Sequence, residues 1–129
     1  MTSTRDRIAR FLMIVLAIST LGAFANAALG ISTVSPDRIN IEAWRMFAFL
    51  VFAGLFTQLA FLPRRMPGLW ELVFFQKAGV ALFVAYAAKS QAGLSLADAG
   101  LVPVDTTLAA TTFVCYVLAR GWRAWLPQR

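Results

Sequence analysis

The sequence contains no histidine. This removes the commonest metal ligand and the commonest general base near neutral pH, so zinc sites, haem ligation and histidine-activated nucleophiles are hard to build. No metal site and no cofactor is expected. There is one cysteine, Cys115, inside an apolar run, and a single thiol excludes an internal disulfide. Charge is scarce as well, at 14% of residues against about 25% in ordinary soluble domains. No Gly-rich phosphate loop, internal repeat or low-complexity tail is present.

What the chain does have is apolar bulk. Hydrophobic residues make up 60% of its 129 positions, against about 45–50% in soluble domains. A domain of this size lacks the polar surface to cover so large a core, which points to lipid as the solvent. The length suits one domain, residues 1–129. Twelve Lys plus Arg stand against six Asp plus Glu. The basic residues sit at the ends of apolar segments instead of gathering on one polar face. That placement reads as membrane anchoring and excludes a nucleic-acid footprint.

Four apolar segments emerge, at about 8–30, 42–62, 69–88 and 101–121. A helix needs roughly 20 residues to cross a hydrocarbon core of about 30 Å. The fourth segment reaches that length only by including 101–105, with Pro103 in its first turn, where a missing amide proton is tolerated. The links fit this division. Ser35-Pro36-Asp37 is a turn signal, PRRMPG at 63–68 is a tight basic connection, and 89–100 is a longer link rich in Ser, Gly and Ala. The expected fold is therefore all-α, an integral membrane four-helix transmembrane bundle.

Orientation follows from Lys and Arg placement. Arg5, Arg7, Arg10, Arg64, Arg65, Arg120, Arg123 and Arg129 fall on one side of such a bundle, and Arg38, Arg45 and Lys89 on the other. Eight against three places both termini in the cytoplasm. Trp44, Trp70, Trp122 and Trp125 lie near segment ends, as interfacial aromatics do. Residues 1–27 also carry signal-peptide features, a basic start, an apolar stretch and Ala25-Asn26-Ala27. The apolar stretch is long enough to span, and its removal would leave three helices, so retention is the expectation.

Candidate functional residues are the ionisable and amide groups within the segments. Lys77 lies near the middle of the third, too deep to snorkel easily, and Glu71 in its first turn. They stand about 9 Å apart along a helix axis and about 120° around it, so a direct pair needs Lys77 to reach back. A polar cavity lined by Lys77, Gln76, Glu71 and Gln58 could hold a polar or anionic head group or support proton transfer, with Glu71 and Lys77 as catalytic acid–base groups. Glu42 and Arg45, three apart at the outer start of the second helix, are further ligand-binding candidates or a plain interfacial ion pair. The competing account of Lys77 is structural: satisfied by Glu71 or by carbonyls, it sets helix register.

Other features have simple readings. Asp105, followed by Thr106 and Thr107, reads as an N-cap. Asn26 reads as a buried amide bonded between helices. The four-residue stripes Ser19, Ala23, Ala27 and Thr107, Thr111, Cys115, Ala119 permit close helix approach within the bundle or to a second copy. Phe47, Phe49, Phe52, Phe56, Phe74 and Phe75 read as core filling or lipid-facing.

The layout resembles the DoxX-like small four-helix bacterial membrane proteins. The resemblance covers about 21–83. It rests on the outer loop GISTVSPDR, on WRMFAFLVFAGL opening the second helix, on the basic loop LPRRMPG, and on a central Lys in ELVFFQKAGVALF. It implies a four-helix membrane fold in the bacterial inner (plasma) membrane and, in some members, association with redox partners; it supplies no catalytic residue. Three functions remain in play. The leading one is an accessory module that binds a lipid or quinone-like molecule. The others are an intramembrane isomerase or cyclase acting through Glu71 and Lys77, and a small-solute transporter working as a dimer. The partners expected are the bilayer, a lipophilic small molecule, and a homo-oligomer or membrane protein.

Overall fold

A computed structural model describes residues 3–90 and 96–127, with backbone alone for 90 and 96–101. Part of the link expected at 89–100, and Arg129 of the C-terminal basic group, lie outside the described residues. Four helices carry the fold: α1 (Thr4–Gly30), α2 (Ile39–Phe61), α3 (Leu69–Ser90) and α4 (Leu96–Ala119). Short 3-10 turns follow α1 at Ile31–Thr33 and α4 at Gly121–Trp125. Each of the four helices is long and apolar enough to cross a membrane.

Helix boundaries follow from local chemistry. α1 starts four residues earlier than hydropathy alone suggests, because Ser3 and Asp6 form a capping box. Ser3 Oγ accepts from the Asp6 N–H at 3.2 Å, and Asp6 Oδ2 accepts from the Ser3 N–H at 3.4 Å. The 35–38 turn closes with the Arg38 N–H donating to the Ser35 carbonyl. α2 stops at Phe61, ahead of Pro63. Gly68, at φ +83°, turns the chain into α3 in a conformation that costs other residues energy. α4 starts at Leu96 rather than 101, so Pro103 lies inside it, about two turns in. A proline there forfeits one backbone bond without ending the helix.

Buried side chains from all four helices form one core: Met13, Leu16 and Ala17 of α1, Phe56, Leu59 and Ala60 of α2, Trp70 and Val73 of α3, Cys115 and Ala119 of α4. α1 packs against both α2 and α4, and α3 packs against α4. α2 and α3, though joined by the short 62–68 loop, meet at few points. The α4 stripe of small residues turns inward at Cys115 and Ala119. On α1 the buried stripe is instead Ala9, Met13, Leu16, Ala17 and Thr20, so Ser19 is exposed and Ala23 and Ala27 are half-buried. Asn26 is exposed, which corrects its reading as a buried amide between helices: it lies off the packed stripe of α1. The hydroxyls of Ser19, Thr20, Thr57, Thr107 and Thr112 each donate to the carbonyl four residues back, so the helices satisfy these polar groups internally.

Candidate functional site

The buried faces of α3 and α4 each carry one charge. On α3, Trp70, Val73, Lys77 and Ala81 recur at helical spacing. On α4 the corresponding series is Asp105, Ala109, Thr112, Cys115 and Ala119. Where the two faces meet, Lys77 Nζ stands 3.4 Å from Asp105 Oδ1, with side chains 8% and 10% exposed. Asp105 is therefore no N-cap. α4 begins before it, its side chain is buried in the bundle, and among the described residues the charge that neutralises it there is Lys77. From the other side, the Phe52 ring of α2 approaches Lys77 Nζ at 4.0 Å to its centroid, within cation–π range.

This pair forms part of the wall of a cavity of about 380 Å³ between the helices, within the size range of small-molecule sites. Phe49, Phe52, Val80 and Leu108 supply apolar wall, and Ser19 and Thr20 of α1 line it too. Arg45 also lines it. The Arg45 guanidinium lies over the Phe49 ring at 5.5 Å and is about half exposed (48%), so it stands at the rim. Gln76 lines the cavity as well, and its buried Oε1 has no hydrogen-bond partner among the described residues. A buried acceptor left unmade costs about 1–3 kcal/mol, which a donor on a bound molecule would recover.

The remaining sequence candidates lie elsewhere. Glu71 is exposed at the start of α3, where its Oε1 accepts from Tyr116 Oη at 3.1 Å and Trp125 Nε1 at 3.2 Å. The direct Glu71–Lys77 pair does not form: Lys77 turns along the buried stripe to Asp105, while Glu71 faces the aromatic cluster at the end of α4. Gln58, one turn before the end of α2, is exposed and apart from the cavity. Glu42 is ion-paired with Arg45 at 3.4 Å and Arg38 at 3.8 Å, and it holds Arg45 at the rim without lining the cavity itself. Phe56 is core, while Phe47, Phe74 and Phe75 face outward.

Of the groups that sequence reasoning singled out, the structure brings together Lys77, Gln76 and Arg45, and adds Asp105. The overlooked signal was pairing. A second charge of opposite sign in a neighbouring apolar helix is the natural partner for a mid-helix lysine, because an isolated charge in hydrocarbon is too costly to keep. Among the described residues no three metal-ligating side chains come together. The chemistry on offer is thus an ammonium, a carboxylate, a guanidinium and an unsatisfied amide around an apolar space. The chain matches no family model, and no curated protein or solved structure matches it.

Proposed function

We propose that this is a DoxX-like integral protein of the bacterial inner membrane, with both termini cytoplasmic, that acts as an accessory module binding a lipophilic molecule with a polar head. Support for the membrane part comes from the outward faces of the helices. Phe11, Ile18, Leu29, Phe75, Leu82 and Phe83 are all well exposed, an apolar surface that water would not tolerate over such an extent. The excess of Arg at the 62–68 loop and both chain ends supports the orientation.

The observation that carries the binding reading is the buried Lys77–Asp105 pair in the wall of a mainly apolar cavity. Lys77 has three N–H donors, of which Asp105 engages one. Arg45 adds donors at the rim, and Gln76 adds an unsatisfied acceptor. A ligand that fits these groups carries a carbonyl or acidic oxygen for Lys77 or Arg45, a hydroxyl for Gln76, and an apolar body. Quinone-like and lipid molecules have this character.

A second reading draws on the same pair. An ammonium and a carboxylate 3.4 Å apart can exchange a proton with a ligand held beside them, as an isomerase or cyclase requires. In that reading Asp105, not Glu71, works with Lys77.

The test is mass spectrometry of small molecules that co-purify with the wild type, Glu71→Gln and Lys77→Met/Asp105→Leu. The double variant removes both charges together and leaves none unpaired. A lipophilic molecule retained by the wild type and Glu71→Gln, and lost from the double variant, is the expected result. The same lipids in all three would sink the proposal.

A further inference from the structure

At the opposite end of the bundle, where α1 begins and α4 finishes, lies a larger cavity of about 670 Å³. Its lining includes Arg5 of α1, Arg64 of the α2–α3 loop, and Arg120 and Arg123 after α4. Among the described residues that line it, the single carboxylate is that of Asp6. Four guanidinium groups against one carboxylate leave a net charge of +3. Among the described residues Arg5, Arg120 and Arg123 have no carboxylate partner.

The cavity is built, not incidental. Arg64 is clamped on two sides: Nη2 lies 3.1 Å from Asp6 Oδ2, and Nη1 donates to the Ala119 carbonyl at 3.2 Å. These bonds tie the α2–α3 loop to α1 and α4 and close one wall. Arg120 holds the left-handed conformation, φ 52° and ψ 52°, that usually falls to glycine after a helix. Glycine is present next door, but Gly121 is needed for a different reason. A Cβ there would fall 2.5 Å from Tyr116 Cδ2 and 2.7 Å from Trp70 Cδ1. The left-handed position therefore falls on Arg120. An arginine in a sparsely populated conformation, in a cavity with three others, is the kind of local cost that persists at binding sites.

We propose that this cavity binds a phosphate group, carried by the headgroup of an anionic phospholipid in the adjoining leaflet. Guanidinium forks match phosphate oxygens two at a time, and several around one anion relieve their mutual repulsion. Basic pockets between membrane helices on the cytoplasmic side recognise lipid phosphates in this way. The cavity is large enough for a headgroup with its glycerol, and Leu118 gives it an apolar wall. The lipid source rests on the membrane reading above, but the site is independent of the Lys77 cavity.

The test titrates full-length protein in dodecyl maltoside with phosphatidylglycerol, phosphatidylcholine or inorganic phosphate, and counts bound molecules by native mass spectrometry. Phosphatidylglycerol is expected to bind about tenfold or more tighter than phosphatidylcholine, and to weaken about fivefold for each arginine removed in Arg120→Gln and Arg123→Gln. Arg120→Gly controls for folding. Glycine adopts φ 52° freely, so the lipid-free melting temperature should not fall, while lipid affinity drops about fivefold as in Arg120→Gln. Inorganic phosphate that binds the wild type and is lost in the same variants supports the phosphate site and moves its source from lipid to solution. Three results overturn the proposal: equal binding of the two lipids with no phosphate bound, phosphatidylglycerol binding that persists in Arg120→Gln/Arg123→Gln, or its loss in Lys77→Met/Asp105→Leu, which assigns the lipid to the other cavity.

Discussion

Removing one charge of the Lys77–Asp105 pair should destabilise the bundle far more than removing both. At 3.4 Å the two charges attract by about 5 kcal/mol at an effective dielectric constant of roughly 20. Their side chains are 8% and 10% exposed, so water compensates little when one is deleted. Asp105→Leu leaves an ammonium inside the bundle beside the Phe52 ring without its carboxylate, and Lys77→Met leaves a carboxylate without its ammonium. Each single variant should lose about 3–5 kcal/mol. Lys77→Met/Asp105→Leu puts apolar groups of similar volume in the same space. It should lie within about 1 kcal/mol of the wild type or above it, because the desolvation of both ions is no longer incurred. The assay is unfolding of purified protein in mixed dodecyl maltoside and sodium dodecyl sulfate micelles, followed by helical circular dichroism, as a double-mutant cycle. A double variant as unstable as the sum of the singles, or an Asp105→Leu within about 0.5 kcal/mol of the wild type, would refute the reasoning, since a structural pair of this burial must show coupling.

Further outcomes follow from the other contacts. Gly121→Ala should destabilise by about 1–3 kcal/mol in the same unfolding assay, because two aromatic rings stand where the new methyl must go. Arg120→Gly should leave stability equal or raise it by about 1 kcal/mol, by relieving the left-handed arginine; a clear loss would show that the Arg120 side chain contributes more to the fold than its backbone costs. Glu71→Leu should free the Trp125 indole and Tyr116 hydroxyl, changing tryptophan emission while leaving any ligand of the Lys77 cavity bound; parallel loss of that ligand would tie Glu71 to the site after all. In intact cells Ser35→Cys should react with a membrane-impermeant maleimide, and Met66→Cys only after lysis; the reverse pattern would invert the orientation. Native Cys115 is buried and should stay silent in both cases.

The four helices and their approximate limits were legible in the sequence, because a crossing helix must be apolar for about 20 residues whatever it packs against. Hydropathy missed the ends where capping acts at short range. Ser3 and Asp6 extend α1 backward, and α4 starts at Leu96, five residues before the expected 101, so Pro103 lies inside the helix instead of in its first turn; a proline there costs one bond and does not forbid the helix. Lys77 could be singled out in advance, because a lysine amid apolar residues is conspicuous by composition alone. That it needs an opposite charge was legible too, but not which one. The interval from 77 to 105 carries no periodic relation, and Asp105 beside two threonines looks the same in sequence as a helix cap. Only the packing of α3 on α4 brings it to Lys77 and turns Glu71 toward Tyr116 and Trp125, while α2, packed on α1, leaves Gln58 exposed. Gathering Arg5, Arg64, Arg120 and Arg123 around one cavity is likewise a product of the tertiary structure. Charge bias assigns them to one side in the proposed orientation, but the distances within that side depend on how the loops fold over the helix ends. Sequence by itself determined how long and how apolar each segment is, a sum over its own residues; the tertiary structure decided which polar groups meet, a property of pairs of segments.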